Sequence, residues 1–285
     1  MKTTTPDHDT SFPNEPILVL GATGKTGRRI VQQLTERGHP VRTGSRSATP
    51  AFDWDDRSSW NEVIEGASAI YISYHPDLAL PGAFDAIGAL IELARDHEVR
   101  KLVLLSGRGE PEAQRCERLV LESGIPSTVL RCAWFNQNFS ENFMRQMVLD
   151  GSLALPANGV REPFVDVDDI ADVAVAALTE EGHEGEIYEL TGPELLTFDD
   201  VAAELSRATS RPVGYHQIAH AEFMDGLGAA DLPADLSNLI GYLFTEVLDG
   251  RNESLADGVQ RALGRPPRRF ADFAQEAAAA GSWNH

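Results

Sequence analysis

Short, continuous apolar segments alternate with longer amphipathic segments through the first half of the chain. Continuous apolar strands indicate a parallel sheet covered on both faces, because a strand with one solvated face would alternate polar and apolar residues. The pattern therefore predicts an α/β fold, a Rossmann-type doubly wound parallel sheet. The predicted strands are Ile17–Leu20, Val41–Ser45, Ala69–Ser73, Lys101–Ser106 and Ser127–Ala133, and the predicted helices are Arg28–Arg37, Trp60–Glu65, Ala83–His97 and Glu112–Ser123.

The alternation becomes irregular after about residue 140. We expect a disordered tail over residues 1–15, a Rossmann core over residues 16–150, and over residues 151–285 a mixed segment that returns to the core, together with a smaller, mostly helical lobe. The elements predicted in this last part are strands at Leu153–Pro156 and Ile187–Leu190, helices at Asp169–Leu178 and Phe198–Thr209, and a helical segment over Ala219–Ala262 that Gly and Pro interrupt.

The composition excludes several classes of protein. The 24 Lys and Arg against 44 Asp and Glu give a formal charge of −20, so the average field repels nucleic acid and anionic membranes. No apolar run approaches the roughly 20 residues of a membrane-spanning helix. Cys116 and Cys132 form neither a CxxC pair nor a metal-ligand pattern with His. With no signal-peptide pattern, we expect a cytoplasmic protein with a small-molecule substrate, no metal, no nucleic acid or membrane partner, and an open oligomeric state.

A glycine-rich segment, Gly21-Ala22-Thr23-Gly24-Lys25-Thr26-Gly27, joins the first predicted strand to the first predicted helix. Its glycines allow a tight turn and let backbone N–H groups approach a pyrophosphate, whose charge the helix N-terminus stabilises. The position in a strand–helix unit distinguishes this motif from an ordinary glycine turn. It predicts a dinucleotide-binding loop whose cofactor contacts are Gly21, Thr23, Gly24, Lys25, Thr26 and Gly27.

The charge near this loop indicates which dinucleotide binds. Between Ile17 and Pro50, six basic residues stand against one acidic residue. A site that prefers NAD carries Asp or Glu at the end of the second strand, on the ribose 2′-hydroxyl, whereas this chain has Thr43-Gly44-Ser45-Arg46-Ser47 there. The planar guanidinium of Arg46 matches the oxygens of a 2′-phosphate, which predicts NADP(H) as the cofactor. Arg29 and Arg37 are interpreted as solvated helix residues.

Further segments of distinctive sequence are Phe52-Asp53-Trp54-Asp55-Asp56, Leu104-Leu105-Ser106, Leu130-Arg131, Trp134 to Phe139, and Pro163 to Ala171. Together with the glycine-rich segment they resemble the NmrA-like branch of the atypical short-chain dehydrogenases/reductases, most closely the festuclavine dehydrogenase-like group and its bacterial relatives. The resemblance runs from about Ile17 to Leu205. It implies an NAD(P)H-dependent oxidoreductase, and it leaves the substrate open because such relatives include quinone, iminium and ketone reductases and NADPH sensors without turnover.

The resemblance also implies positions for side chains around the cofactor. It places Phe52 and Asp53 near the adenine, and Ser73 with Tyr74 beside the ribose and the nicotinamide. Asp168 has a simpler interpretation as the N-cap of a helix that begins at Asp169.

The substrate side of the site is less defined. The aromatic residues form either an apolar wall for a flat, aromatic or polycyclic substrate or part of the core; they are Trp134, Phe135, Phe139 and Phe143. Asn138 is interpreted as a group that orders its loop, in preference to a chemical role. Cys116 is interpreted as a small core residue. The predicted substrate residues are Gln114, Trp134, Phe135 and Asn138.

The helix after Ser106 lacks the Tyr-x-x-x-Lys pair of short-chain dehydrogenases, in which Lys lowers the Tyr pKa so that the phenol protonates a carbonyl. No tyrosine lies between Tyr74 and Tyr188, and no lysine follows Lys101. A positioned acid accelerates such a reaction roughly 10²–10⁴-fold, so an unactivated ketone is a poor acceptor without one. An iminium needs no proton, and a quinone gives a phenolate that water can protonate. We therefore expect a quinone, an iminium or an activated polycyclic ketone as acceptor, and no obligatory general acid.

Ser106, Tyr74 and His75 remain as candidate catalytic residues. Ser106 ends its strand where the family serine lies, and we expect its hydroxyl to donate to an acceptor oxygen. His75 could supply a proton near neutral pH, although a loop histidine is also commonly only solvated. Two other functions stay open, a non-catalytic NADP(H)-sensing regulatory protein and an isomerase or epimerase on the same fold.

Overall fold

The computed structural model describes residues 15–229 and 234–284. The predicted disordered tail lies outside these residues, except for Glu15. Within the described ranges the strands are β1 (Ile17–Leu20), β2 (Val41–Gly44), β3 (Ala69–Ile72), β4 (Lys101–Gly107), β5 (Ser127–Cys132), β6 (Ser152–Leu155), β7 (Ile187–Leu190) and β8 (Gly214–Gln217). The helices are α1 (Lys25–Glu36), α2 (Trp60–Ile64), α3 (Ala83–Asp96), α4 (Pro111–Leu121), α5 (Asn138–Glu141), α6 (Phe143–Leu149), α7 (Val167–Thr179), α8 (Phe198–Thr209), α9 (His220–Ala229), α10 (Ala234–Tyr242), α11 (Gly258–Leu263) and α12 (Phe270–Ala279).

The main sheet has the strand order β2-β1-β3-β4-β5-β7, and all of its neighbouring strands are parallel. Residues of α2, α3 and α4 pack on one face of this sheet, and residues of α1 and α7 pack on the other. Leu18 and Val19, adjacent on β1, are both fully buried, one against each layer. Both faces are therefore apolar, and the predicted Rossmann-type parallel sheet is confirmed.

The C-terminal part contains a second, two-stranded parallel sheet of β6 and β8. Its core is aromatic: the ring of Phe139 lies 5.7 Å from that of Phe164 and 5.5 Å from that of Phe270, measured between centroids. The sequence pattern did not predict β8. The expected helical segment contains α9, α10, a π-helical turn at Leu243–Val247, and α11. None of the described helices has the length and apolar character that crossing a membrane requires.

Helix α7 begins at Val167, and its N-cap is Asp166. The Asp166 carboxylate accepts hydrogen bonds from Asp168 N at 2.8 Å and from Gln137 Nε2 at 2.9 Å. The prediction that Asp168 caps a helix beginning at Asp169 is therefore wrong. Asp168 instead lies in the first turn, because the extended backbone that a cap requires occurs two residues earlier, at Asp166.

Arg29 joins α1 to two other helices. Its Nε lies 2.7 Å from Asp168 Oδ1, and its Nη2 lies 2.9 Å from Glu141 Oε1. The Arg29 side chain is 18% exposed, so its interpretation as a solvated residue is wrong. Arg37, at the end of α1, is exposed as interpreted. The predicted start of α1 at Arg28 is also three residues late, because the last residues of the glycine-rich segment are already helical.

Replacing the cap by alanine tests these assignments. We expect Asp166→Ala to lower the free energy of unfolding by at least about 2 kcal/mol, because it removes the cap and leaves the buried amide of Gln137 without an acceptor. Asp168→Ala is the control, and its cost should be about 1 kcal/mol or less because its ion pair is partly solvated. Denaturant unfolding of both variants measures the difference; equal losses would contradict the assignment of the cap.

Candidate active site

A cleft of about 580 Å³ opens at the carboxyl ends of the parallel strands. Strand β1 pairs with β2 on one side and with β3 on the other, so the order in which strands are added to the sheet reverses at β1. Open α/β sheets bind ligands at such a switch point, at the carboxyl ends of the strands. The predicted site residues that line the cleft are Gly21, Thr23, Gly24, Lys25, Thr26, Arg46, Phe52, Asp53, Ser73, Tyr74, His75, Ser106, Trp134, Phe135 and Asn138.

Gly27 and Gln114 do not line the cleft. Gly27 is buried behind the loop, where it allows the helix to approach the strand. Gln114 lies one turn into α4, and the buried face of that helix is formed by other residues, including Ala113 and Cys116. Cys116 is a core residue as interpreted, and burial raises the pKa of its thiol to about 11.

The loop after β1 has the geometry of an anion-binding cradle. Gly21 has a left-handed backbone, with φ of +72°, and its N–H donates to Gly44 O at 3.0 Å. A Cβ on Gly27 would lie 2.1 Å from Gly21 O, so only glycine permits this approach of α1. Among the described residues, the N–H groups of Lys25, Thr26 and Gly27 have no acceptor, and the first turn of α1 contains no acidic residue. These features fit a pyrophosphate at the helix N-terminus.

Two side chains near this cradle carry positive charge into the cleft. Arg46, just after β2, is exposed and forms no hydrogen bond or ion pair with any residue that the structure describes. Lys25 is half-buried, and this burial lowers the pKa of its ammonium group. Both groups are available to an anionic ligand.

Trp54 connects the loop after β2 to the loop after β3. Its indole Nε1 donates to Ser73 O at 3.2 Å, and its ring centroid lies 4.9 Å from that of Tyr74. The buried ring of Phe52 packs on the same indole, with centroids 4.9 Å apart. The Asp53 carboxylate accepts from Asp55 N at 3.1 Å, which orders the turn between them.

Ser106 lies at the end of β4 and is 5% exposed. Its Oγ donates to Glu117 Oε1 at 2.7 Å. Glu117 is in turn paired with Arg131, whose Nε and Nη2 lie 3.0 and 2.5 Å from the two carboxylate oxygens. Because the hydroxyl proton is directed to Glu117, Ser106 presents its lone pairs to the cleft. Donation to an acceptor oxygen, as expected from the sequence, would require the hydroxyl to rotate away from Glu117 and stays a prediction.

The cleft also contains a carboxyl pair that the sequence analysis missed, Asp77 and Glu110. The two side chains are hydrogen-bonded, and Glu110 is 4% exposed. Burial and the neighbouring Asp77 carboxylate raise the pKa of Glu110 to about 8, and burial also raises the pKa of Asp77. One signal could have located Glu110: it immediately precedes Pro111, the first residue of α4, and so marks the carboxyl edge of the sheet.

Tyr74 and His75 differ in their surroundings. Tyr74 is half-buried, which raises its pKa, and the nearby Asp55 carboxylate contributes to the same rise. His75 is exposed at the rim of the cleft. Both residues lie in the loop between β3 and α3, and neither is part of a helix that also contains a lysine. Neither therefore reproduces the Tyr-x-x-x-Lys arrangement.

Comparison with known proteins decides the family. A family model described as NAD(P)H-binding matches residues 21–181, and one described as the NmrA-like family matches residues 113–255. The chain belongs to the NmrA-like family. The resemblance seen in the sequence and NAD(P)H as the cofactor are thereby confirmed.

Its similarity to individual members extends over most of the chain. Agroclavine dehydrogenase of Claviceps fusiformis is 33% identical, covering 91% of this chain and 96% of that protein. Festuclavine synthase II of Penicillium roqueforti is 31% identical, covering 91% and 97%. The NADPH-dependent quinone oxidoreductase of Escherichia coli in complex with NADPH shares the fold, with a TM-score of 0.77, 21% identity, and coverage of 91% and 99%. The predicted class, an NAD(P)H-dependent oxidoreductase, is confirmed.

A substitution in the cradle tests its role in cofactor binding. We expect Gly24→Val to abolish NADPH binding, because the added branches occupy the space that the pyrophosphate needs. We expect it to remain folded, because its Cβ would lie 3.2 Å from Gly21 O, a contact that a shift of a few tenths of an ångström in the loop relieves. Isothermal calorimetry and thermal unfolding measure the two effects.

The control is Gly226→Val on α9, where an added Cβ meets no atom of a described residue within 4 Å. It should retain NADPH binding. If Gly24→Val also bound NADPH normally with an unchanged melting temperature, the loop would be only a turn.

Proposed function

We propose that this protein transfers a hydride from NADPH to a small, electron-poor organic acceptor, namely a quinone, an iminium or an activated polycyclic ketone. The observation that carries this proposal is the continuity of the cleft. It extends from the cradle after β1, past Ser73 and Ser106, to the apolar side chains of Trp134 and Phe135. A cofactor and a flat acceptor can therefore lie side by side in one continuous cleft.

The cofactor half of the cleft is built to hold anionic groups. The free N–H groups of α1 would bind the pyrophosphate, and Lys25 would add a positive charge beside it. Arg46 would pair with the 2′-phosphate, and Phe52 with Asp53 would border the adenine. NADPH, when bound, supplies the hydride.

The acceptor half is mainly apolar. Trp134 packs against Phe244 with ring centroids 5.3 Å apart, and Leu243 and Val247 from the π-helical turn complete the wall. Tyr74 faces the same space from the loop after β3. Apolar and aromatic walls of this kind favour a flat, aromatic or polycyclic acceptor. The relatives named for agroclavine, festuclavine and quinone fit such a substrate class.

The polar chemistry of the cleft restricts the acceptor further. Helix α4 contains neither tyrosine nor lysine, so the usual acid of short-chain dehydrogenases has no equivalent there. Ser106 offers an acceptor oxygen and orients a ligand N–H or O–H. A reaction that begins with an already electron-poor carbon or a quinone depends least on a strong acid.

A panel of acceptors tests the proposal. With NADPH consumption followed by absorbance, we expect turnover of quinones, cyclic iminium salts and activated polycyclic ketones, and a kcat/KM at least about 100-fold lower for simple aliphatic ketones. Tight NADPH binding without consumption by any acceptor would favour a sensor instead. Substrate conversion without net NADPH consumption would favour an isomerase or epimerase.

A second experiment tests the preference for NADPH. We expect NADPH to bind at least tenfold more tightly than NADH, because a charged hydrogen bond from Arg46 to the 2′-phosphate contributes on the order of 1.5–3 kcal/mol. Arg46→Ala should remove this preference. Arg37→Ala, an exposed arginine of the same region outside the cleft lining, is the control and should keep it. Equal dissociation constants for the two cofactors in the wild type would refute the assignment.

A further inference from the structure

We propose that the Asp77–Glu110 carboxyl pair is the proton donor of this active site, with Glu110 delivering the proton and Asp77 holding the proton-bearing group in place. The inference rests on the proposed reductase function. It revises the expectation from the sequence that no side chain acts as a general acid.

The pair lies in the cleft where an acceptor would react. Asp77 follows β3 by a few residues and Glu110 follows β4, so both are at the carboxyl edge of the sheet, together with Tyr74 and Ser106. Both carboxyl groups line the same cleft as the cofactor cradle.

Each member of the pair is fixed by its surroundings. Asp77 Oδ1 accepts from Ala79 N at 2.8 Å, which leaves its other oxygen for Glu110. The Glu110 carboxyl group packs directly against Gly107. A Cβ added to Gly107 would lie 2.6 Å from Glu110 Oε2. Any residue other than glycine at position 107 would displace the Glu110 carboxyl group from this position.

Joint ionisation of two hydrogen-bonded carboxyl groups is unfavourable, since like charges at this distance repel strongly in a buried site, so the doubly ionised pair takes up a proton readily. Neither Asp77 nor Glu110 forms an ion pair with a described residue that would offset this repulsion. Glu117 adds a further negative charge, although Arg131 is bound to it. The pair therefore keeps one proton at neutral pH, and the buried Glu110, with its pKa of about 8, is the member that carries it.

The other titratable or charged groups around the pair do not replace this proton. Arg108 directs its guanidinium to the carbonyl oxygens of Asn252 and Ser254, and Arg251 Nη1 donates to Gly109 O. Tyr242, on α10, has its pKa raised by burial and by both carboxyl groups, so it stays neutral. His75 is exposed on the same loop as Asp77.

The proposed step conserves atoms and charge. A ketone acceptor receives the hydride, with its electron pair, at the carbonyl carbon, and NADPH is the reductant. The O–H bond of Glu110 breaks while a new O–H bond forms on the acceptor oxygen. Both carboxyl groups are then ionised, and solvent reprotonates the pair through the exposed rim at His75. Because the pKa of Glu110, about 8, lies near neutral pH, the acid is suited to give a proton and to recover it.

Glu110→Gln tests the step because it removes the proton but keeps the size and, at neutral pH, the net charge of the pair. We expect kcat/KM for an activated ketone to fall by roughly 100-fold, with a far smaller fall for a cyclic iminium salt, which needs no proton. In the wild type, ketone reduction should decline as the pH rises through about 8, because the proton is lost there, and this decline should disappear in the variant.

Two further variants complete the test. Asp77→Asn removes the negative neighbour, so the pKa of Glu110 falls and the decline should move to lower pH, which a merely structural role would not produce. Glu112→Gln alters an exposed acid in the first turn of α4 that lies outside the cleft, and it should leave the rate and the pH profile unchanged.

Infrared titration of the protein without cofactor supplies a readout independent of turnover. We expect a protonated-carboxyl band that disappears with a midpoint near pH 8 in the wild type and in Glu112→Gln, and that is missing in Glu110→Gln. Burial raises the pKa of Glu162 to about 7, so its separate contribution, with the lower midpoint, should be present in all three proteins. Unchanged NADPH affinity shows that Glu110→Gln is folded. Absence of the band from the wild type, or ketone turnover that Glu110→Gln leaves unchanged, overturns the inference. Failure of the proposed function is a different result, because the wild type itself would then fail to consume NADPH, whichever acceptor is offered.

Discussion

The approach of α1 to the Gly21 carbonyl is the contact on which the arrangement of the cleft depends. Gly27 can contact this oxygen so closely only because it has no side chain. The contact fixes α1 so that the free N–H groups of its first turn lie at the carboxyl edge of the sheet. Arg29 then fixes the helix from its other side by pairing with Asp168 and Glu141. The glycine-rich turn and the ion pairs of Arg29 thus fix the orientation of α1, whose helix dipole would stabilise a bound pyrophosphate.

A second constraint operates at the ends of β4 and β5. Glu117 is almost fully buried, and it is tolerated there because Arg131 and the Ser106 hydroxyl satisfy its oxygens. Arg131 continues to Glu189 on β7, with Nη1 2.9 Å from Oε1. The network holds the Ser106 hydroxyl as a donor to Glu117. It also places a fixed negative charge behind Glu110, which favours the protonated form of that residue.

Residue patterns were sufficient for the sheet, the glycine loop and the family, because these depend on local periodicity and on motifs that are contiguous in the chain. They failed where partners are distant in sequence. The cap of α7 was misassigned because Asp166, Asp168 and Asp169 are chemically alike, and only the backbone at Asp166 and its contact with Gln137 distinguish them. The carboxyl pair was missed because it joins two loops whose proximity follows from the pairing of β3 with β4. Strand β8 was missed because its residues are half-exposed and short of apolar side chains.

The two halves of the cleft differ in whether backbone groups or side chains form their surface. The cofactor half consists largely of backbone groups and of glycines whose replacement would block the loop, so its sequence is strongly constrained. The acceptor wall instead includes the side chains of Leu243 and Val247, on the π-helical turn. The segment after this turn is held in place by Arg108, which donates to the carbonyl oxygens of Asn252 and Ser254. Neither the Leu243 nor the Val247 side chain belongs to the cradle after β1. The fold therefore separates a cofactor cradle of constrained sequence from an acceptor wall formed by side chains, and a substitution at Leu243 or Val247 would change the acceptor space while the cradle is kept.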